Sequence, residues 1–112
     1  MNWSAFHSGK SIGTLGSENG VIVRDEEHCD GARITLERDA RSAPFTITCG
    51  IYGWMVHTRF FGTEQESRTE FELMSMELGR ILIMIPLTSD PEFDAKSRLL
   101  TGAITKFVEQ FQ

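Results

Sequence analysis

The stretch "APFTITCGIYGWMVHTRFF", residues 43–61, decides the predicted fold because it contains two strand-like runs around a turn. The runs "APFTITC" and "WMVHTRFF" flank "GIYG", residues 50–53, and such an arrangement is typical of a β-hairpin. A loop with an even number of residues sets Cys49 opposite Trp54. A slip of one residue would turn every side chain to the other face of the sheet. The even loop gathers the apolar side chains on one face, which then carries Phe45, Ile47, Cys49, Trp54, Val56 and Phe60.

The same register places polar side chains on the opposite face, which we predict to be uncovered. Aromatic residues, Met and Arg are enriched at the centres of interfaces, and this hairpin is rich in them. The preceding strand, residues 32–38, adds Arg33, Thr35 and Glu37 to the same face. The candidate residues for binding a ligand or a partner are Tyr52, Met55, His57, Arg59, Arg33 and Glu37.

A second hairpin precedes this one. "VIVRDEEHC" and "ARITLER" flank Asp30-Gly31, a dipeptide that strongly favours a tight turn between strands. The two hairpins predict four antiparallel strands. Residues 1–19 contain glycines at short intervals, so we expect a glycine-rich arm with weak structure and at most a short strand, followed by a single domain over residues 20–112. Trp3 and Phe6 are the residues expected to attach the arm to the body.

Two helices are predicted after residue 62. Thr63 and Glu66 form a capping box, and apolar residues then recur at steps of three and four up to Pro86. The segment "RILIMI" before that proline is compatible with a helix, which we favour, or with a buried strand. Ser89 and Glu92 form a second capping box before another apolar stripe. The predicted fold is α+β: a four-stranded antiparallel sheet followed by two C-terminal helices packed on one of its faces.

Composition excludes several classes of partner. The chain has 112 residues and a formal net charge of -5, which disfavours nucleic acid and anionic membrane surfaces. No apolar run approaches the length of a membrane span, and two cysteines are too few for a disulfide scaffold. We therefore expect a cytoplasmic protein with reduced thiols.

Three motifs suggest specific chemistry, and each has a simpler interpretation. "HSGKS", residues 7–11, resembles the end of a phosphate-binding loop, but it lacks the first glycine, the preceding strand and the following helix. "DEEHCD", residues 25–30, contains residue types that ligate metals, yet acids are common where a strand ends in a turn. Cys49 and His57 are predicted on opposite faces, which argues against an activated thiol. We expect no metal and no cofactor.

Surplus apolar residues on the first helix favour self-association. Leu73, Met76, Ile83 and Met84 exceed what one core-facing stripe requires. We therefore predict a non-enzymatic module that binds a protein partner or dimerises. The alternative is a small-ligand-binding domain or an enzyme that uses the uncovered sheet face around His57 and Arg59.

Overall fold

A five-stranded antiparallel sheet with two helices on one face forms the structure, a computed structural model that describes residues 2–112. The strands follow one another across the sheet in chain order, and the helices follow the last strand. The elements are β1 (Trp3–Ala5), β2 (Val21–His28), β3 (Ala32–Arg38), β4 (Phe45–Ile51), β5 (Met55–Phe61), α1 (Glu64–Leu82) and α2 (Phe93–Gln110). The α+β class is confirmed, but the sheet has five strands rather than the four predicted.

The additional strand comes from the N-terminal segment, where weak structure was expected. β1 pairs antiparallel with β2, and the indole of Trp3 meets the ring of His28 edge-on at 5.0 Å. The guanidinium of Arg33 lies 3.6 Å from the ring centre of Phe6. These aromatic contacts hold the segment on the sheet, and they involve Trp3 and Phe6, the two residues predicted to attach it to the body.

The loop between β4 and β5 has an odd number of residues, so the predicted register is wrong. Ile51 pairs with Met55, and Cys49 pairs with His57 rather than with Trp54. A turn closed by the Trp54 amide on the Ile51 carbonyl sets this length, with Gly53 at a positive φ of 83°. His57 and Arg59 therefore lie on the helix-covered face, and Val56 and Phe60 lie on the outer face.

The core lies between the sheet and α1. Phe71, Met74 and Leu78 project from α1 onto Ile34 and Leu36, and all five are fully buried. Burial of each such side chain contributes roughly 1.5–3 kcal/mol, so this layer fixes α1 on the sheet. From α2 and its end, Leu100, Phe107 and Phe111 complete the same core.

Helix boundaries agree with one of the two predicted caps. The hydroxyl of Thr63 accepts a hydrogen bond from the Glu66 amide at 3.3 Å, as the capping box requires. α1 ends at Leu82, so residues 83–85 are neither helix nor strand. The second capping box is wrong: α2 begins at Phe93, and the Asp90 carboxylate accepts from the Glu92 amide instead. Among residues 2–112, neither helix has the length and apolar content needed to cross a membrane.

Part of the outer sheet face is covered by a segment that we call the strap, residues 14–20. The strap is tied to the start of β2, because the Ile22 amide donates to the Thr14 carbonyl and the Ile22 carbonyl accepts from the amide of Gly13, the residue before the strap. It lies across Glu37, whose side chain is fully buried although it points away from the helices. The outer face is therefore only partly uncovered.

Candidate functional site

A cavity of about 540 Å³ lies on the outer face of the sheet, between the strap and the β4–β5 turn. Its size falls within the range of small-molecule sites, which are concave and mostly apolar with a few polar groups. One wall is formed by Gly16 and Ser17 of the strap. The apolar lining includes Ile22, Trp54 and Val56, and the polar lining includes Arg33, Thr35, Thr48 and Tyr52.

The floor of the cavity is fixed by a buried charge network. Asp25 has no exposed side-chain surface and accepts two hydrogen bonds from Arg33, at 2.9 and 2.7 Å. The hydroxyl of Thr35 donates a third bond to the same carboxylate at 2.9 Å. The hydrogen bonds to Asp25 raise the pKa of Arg33 above its already basic value. Arg33 is therefore a rigid, permanently charged part of the wall.

Tyr52 closes the cavity beside the turn. Its hydroxyl donates a 2.7 Å hydrogen bond to Glu27, and its amide donates to the Gly31 carbonyl. Desolvation, together with the nearby Glu27 carboxylate, raises the pKa of Tyr52 to about 12. The phenol is therefore a hydrogen-bond donor at neutral pH and not a general base.

Glu37 anchors the strap rather than lining the cavity. Its carboxylate accepts hydrogen bonds from the amides of Gly20 at 2.9 Å and Glu18 at 3.2 Å. Within residues 2–112 no Lys or Arg forms an ion pair with it, and burial raises its pKa. Its cross-strand neighbour Thr46 has a buried hydroxyl oxygen that lacks a hydrogen-bond partner among the described residues.

The six residues proposed from the sequence do not form one cluster. Arg33, Tyr52 and Met55 line the cavity, and Glu37 lies beneath the strap. Arg59 lies on the helix side, where it forms a 2.7 Å ion pair with Glu70. The Nε2 of His57 donates to the main-chain carbonyl of Phe111, since a carbonyl can only accept.

Burial, not strand geometry, makes the Cys49 thiol unreactive. Cys49 and His57 are register partners on one face, so the prediction that they point apart is wrong. Cys49 is only 1% exposed, and desolvation raises its pKa to about 12. A thiol with such a pKa is almost entirely protonated at neutral pH and is a poor nucleophile.

Two sequence motifs have a clear structural context. After "HSGKS", turns and the strap lead to β2, so no helix N-terminus follows Lys10 and Ser11. The turn after β2 brings ligand atoms of His28, Cys29 and Asp30 within 4.8 Å of one another. However, the Nδ1 of His28 already accepts a hydrogen bond from the Asp30 amide at 3.0 Å.

Large apolar side chains remain exposed in two patches. The helix patch lies on α1, on the segment that joins it to α2 and on one residue of α2, and the β5 patch lies on the outer face of the last strand. Sequence reasoning missed the β5 patch because it assigned these residues to the core. The helix patch comprises Leu73, Met76, Ile83, Met84, Leu87 and Leu99, and the β5 patch comprises Val56 and Phe60.

Comparisons with protein-family models, curated proteins and solved structures gave no match for this chain. The chemistry of the cavity must therefore be judged from its own residues. Arg33 and Tyr52 donate hydrogen bonds, and neither contacts a nucleophile that a neighbouring base activates. Both side chains already donate to carboxylates of the chain itself, Arg33 to Asp25 and Tyr52 to Glu27.

Proposed function

We propose that this chain is a non-enzymatic module that acts by self-association, with a homodimer as the functional unit. The observation that supports this proposal is the amount of large apolar surface that the fold leaves exposed. Met76 of α1 is 57% exposed and Ile83, the residue after α1, is 82% exposed, while Phe71 and Leu78 of α1 are fully buried. A helix that is apolar on two sides gains from burying the second side against another molecule.

The exposed apolar positions stand out against the charge of the chain. A net charge of -5 keeps single chains apart by repulsion, so association requires a short-range attraction. Removal of each large side chain from water supplies roughly 1.5–3 kcal/mol. Covering several of these residues in each of two copies offsets the cost of association, which is on the order of 4–15 kcal/mol.

Sedimentation velocity from low to high micromolar concentration tests the proposal. We expect the wild-type chain to shift from monomer to dimer as its concentration rises. The variant Met76→Glu/Met84→Glu reports whether the helix patch takes part, and Thr101→Glu/Thr105→Glu is its control because both threonines are exposed helix residues. A wild-type chain that stays monomeric at every concentration would contradict self-association.

A second candidate function is the binding of a small molecule in the outer-face cavity. The specific observation in its favour is a 540 Å³ cavity whose wall carries a fixed guanidinium and a phenol. A thermal-shift screen of small molecules would test it. Ligands that bind there should lose their effect in Thr48→Phe, which fills the cavity, and keep it in the exposed control Thr69→Phe. Equal effects in both variants would contradict this second function.

A further inference from the structure

The last strand of the sheet has a free edge. β5 pairs with β4 on one side, and the described residues contain no strand on its other side. No main-chain hydrogen bond of residues 2–112 reaches that edge from a turn, loop or cap. Natural edge strands are commonly protected by charged side chains, Pro or a bulge. The seven residues "MVHTRFF" contain neither Pro nor a bulge, and their one Arg, Arg59, points inward and is paired with Glu70.

We propose that this edge is where the second copy docks, so that two β5 strands pair antiparallel about a twofold axis at Thr58. Val56 of one copy then lies opposite the partner subunit's Phe60, and Met55 lies opposite the partner subunit's Phe61. The inference rests on the self-association proposed above and places the contact at the β5 patch rather than at the helix patch. The two five-stranded sheets become one continuous sheet across the axis.

The register follows from strand geometry. Along an antiparallel strand, alternate residues direct both their N–H and their C=O to the same edge. An even-numbered residue of one copy can therefore face only an even-numbered residue of the other, and an odd-numbered residue only an odd-numbered one. The twofold axis must then pass through a residue and cannot pass between two residues. Of those positions, Thr58 is the middle of Met55–Phe61, so it alone pairs all seven residues.

This register also pairs the two exposed apolar residues of the strand. Val56 is 79% exposed and Phe60 is 53% exposed, and both lie on the outer face. An aromatic residue opposite a β-branched residue is a favourable cross-strand pair. The axis creates this pair twice, so each chain buries one side of the two apolar residues of the other.

On the helix side, the register is compatible with the charges present. His57 lies opposite the partner subunit's Arg59, whose guanidinium is already neutralised by Glu70 at 2.7 Å. Arg59 is also packed near the rings of Phe61 and Phe111. β5 brings no carboxylate to the axis, and Arg59 is its only Arg or Lys.

Two measurements test the surface and the register. Val56→Lys places a charge at the centre of the proposed interface, and we expect the association constant to fall on the order of 10- to 100-fold because two copies of the side chain are lost. Leu15→Lys is the matched control, since Leu15 is 71% exposed and lies away from β5. Both variants change the net charge from -5 to -4, which weakens repulsion between chains. A weaker dimer in Val56→Lys alone therefore cannot arise from charge repulsion.

The register is tested by cross-linking at the axis. In a Cys29→Ser background, Thr58→Cys places two thiols opposite each other, with Cβ atoms about 4.5–5.5 Å apart, and mild oxidation should yield a covalent dimer. Thr101→Cys in the same background is exposed but distant and should not cross-link efficiently. If the wild type is monomeric, self-association and this inference both fail. If it dimerises but Val56→Lys leaves the dimer intact and Thr58→Cys cross-links no faster than Thr101→Cys, the inference fails and self-association stands.

Discussion

Replacing Gly16 by alanine should detach the strap from the sheet. A Cβ atom built on Gly16 would lie 2.3 Å from the Cδ of Glu37 and 2.6 Å from both carboxylate oxygens. Such distances are well inside van der Waals contact, so either the strap or the Glu37 side chain must move. The side chain has no free space because it is fully buried and held by the amides of Gly20 and Glu18.

The expected cost follows from the hydrogen bonds that must break. A hydrogen bond to a charged group contributes about 1.5–3 kcal/mol, and the Glu37 carboxylate accepts two from the strap. Water replaces part of this loss once the strap opens. We therefore expect Gly16→Ala to lower the free energy of unfolding by about 2–4 kcal/mol, a large share of the stability of a small domain.

Urea unfolding followed by tryptophan fluorescence measures this loss. Gly62→Ala is the matched control, because Gly62 has no atom within 4 Å of a built Cβ and its φ is not positive. In the double variant Gly16→Ala/Glu37→Asp, the shorter acid retracts and part of the stability should return. A loss below about 0.5 kcal/mol for Gly16→Ala, as at an ordinary surface position, would refute the close contact between Gly16 and Glu37.

Three further outcomes follow from the buried polar groups. Burial raises the pKa of Glu37, so its contribution to stability is fully present below the ordinary value of 4.5 and is lost as pH rises through the raised value. The glutamine of Glu37→Gln does not titrate, so the urea midpoint of this variant should rise relative to that of the wild type between acidic and neutral pH. If the difference between the two midpoints stayed the same over this pH range, the raised pKa of Glu37 would be contradicted. Asp25→Ala should lower the free energy of unfolding by about 2–3 kcal/mol, a value reduced for solvent screening because the Arg33 side chain is 34% exposed. The double variant Asp25→Ala/Arg33→Met should lose less stability than the sum of the two single variants. With a chromogenic disulfide reagent, native protein should titrate Cys29 alone and unfolded protein should also titrate Cys49; rapid modification of both in native protein would disagree with the burial of Cys49.

The sequence correctly predicted the first hairpin and the start of α1, because both are determined by residues that are close to one another in the chain. Asp30-Gly31 predicted the first hairpin, and Gly31 adopts a φ of 109° there. Thr63 predicted the start of α1 because its hydroxyl caps the helix within one turn. The sequence allowed a short strand in the N-terminal arm but did not place β1, because its pairing with β2 spans more than twenty residues of sequence and three residues carry too little periodicity.

The cavity was only partly predictable. Arg33 and Tyr52 were candidates because their residue types recur at binding sites. The network around Asp25 was interpreted as a solvated strand end, since the sequence did not indicate that the adjacent Arg33 and Thr35 would satisfy it. The strap was unpredictable for a related reason: Gly16 and Gly20 suggested loose backbone, whereas their missing side chains allow close approach to Glu37.

The error in the β4–β5 register and the proposed interface have the same cause. Apolar alternation in β5 correctly identifies one face, occupied by Val56 and Phe60, but that face is exposed in a single chain. The polar face lies under the helices instead, because Arg59 forms an ion pair with Glu70 and His57 donates a hydrogen bond to the Phe111 carbonyl at the end of α2. An edge strand has one neighbour in the monomer and two after edge-to-edge pairing. Since the second neighbour would cover Val56 and Phe60, the pattern in β5 fits the environment of a strand inside a dimeric sheet better than that of a free edge.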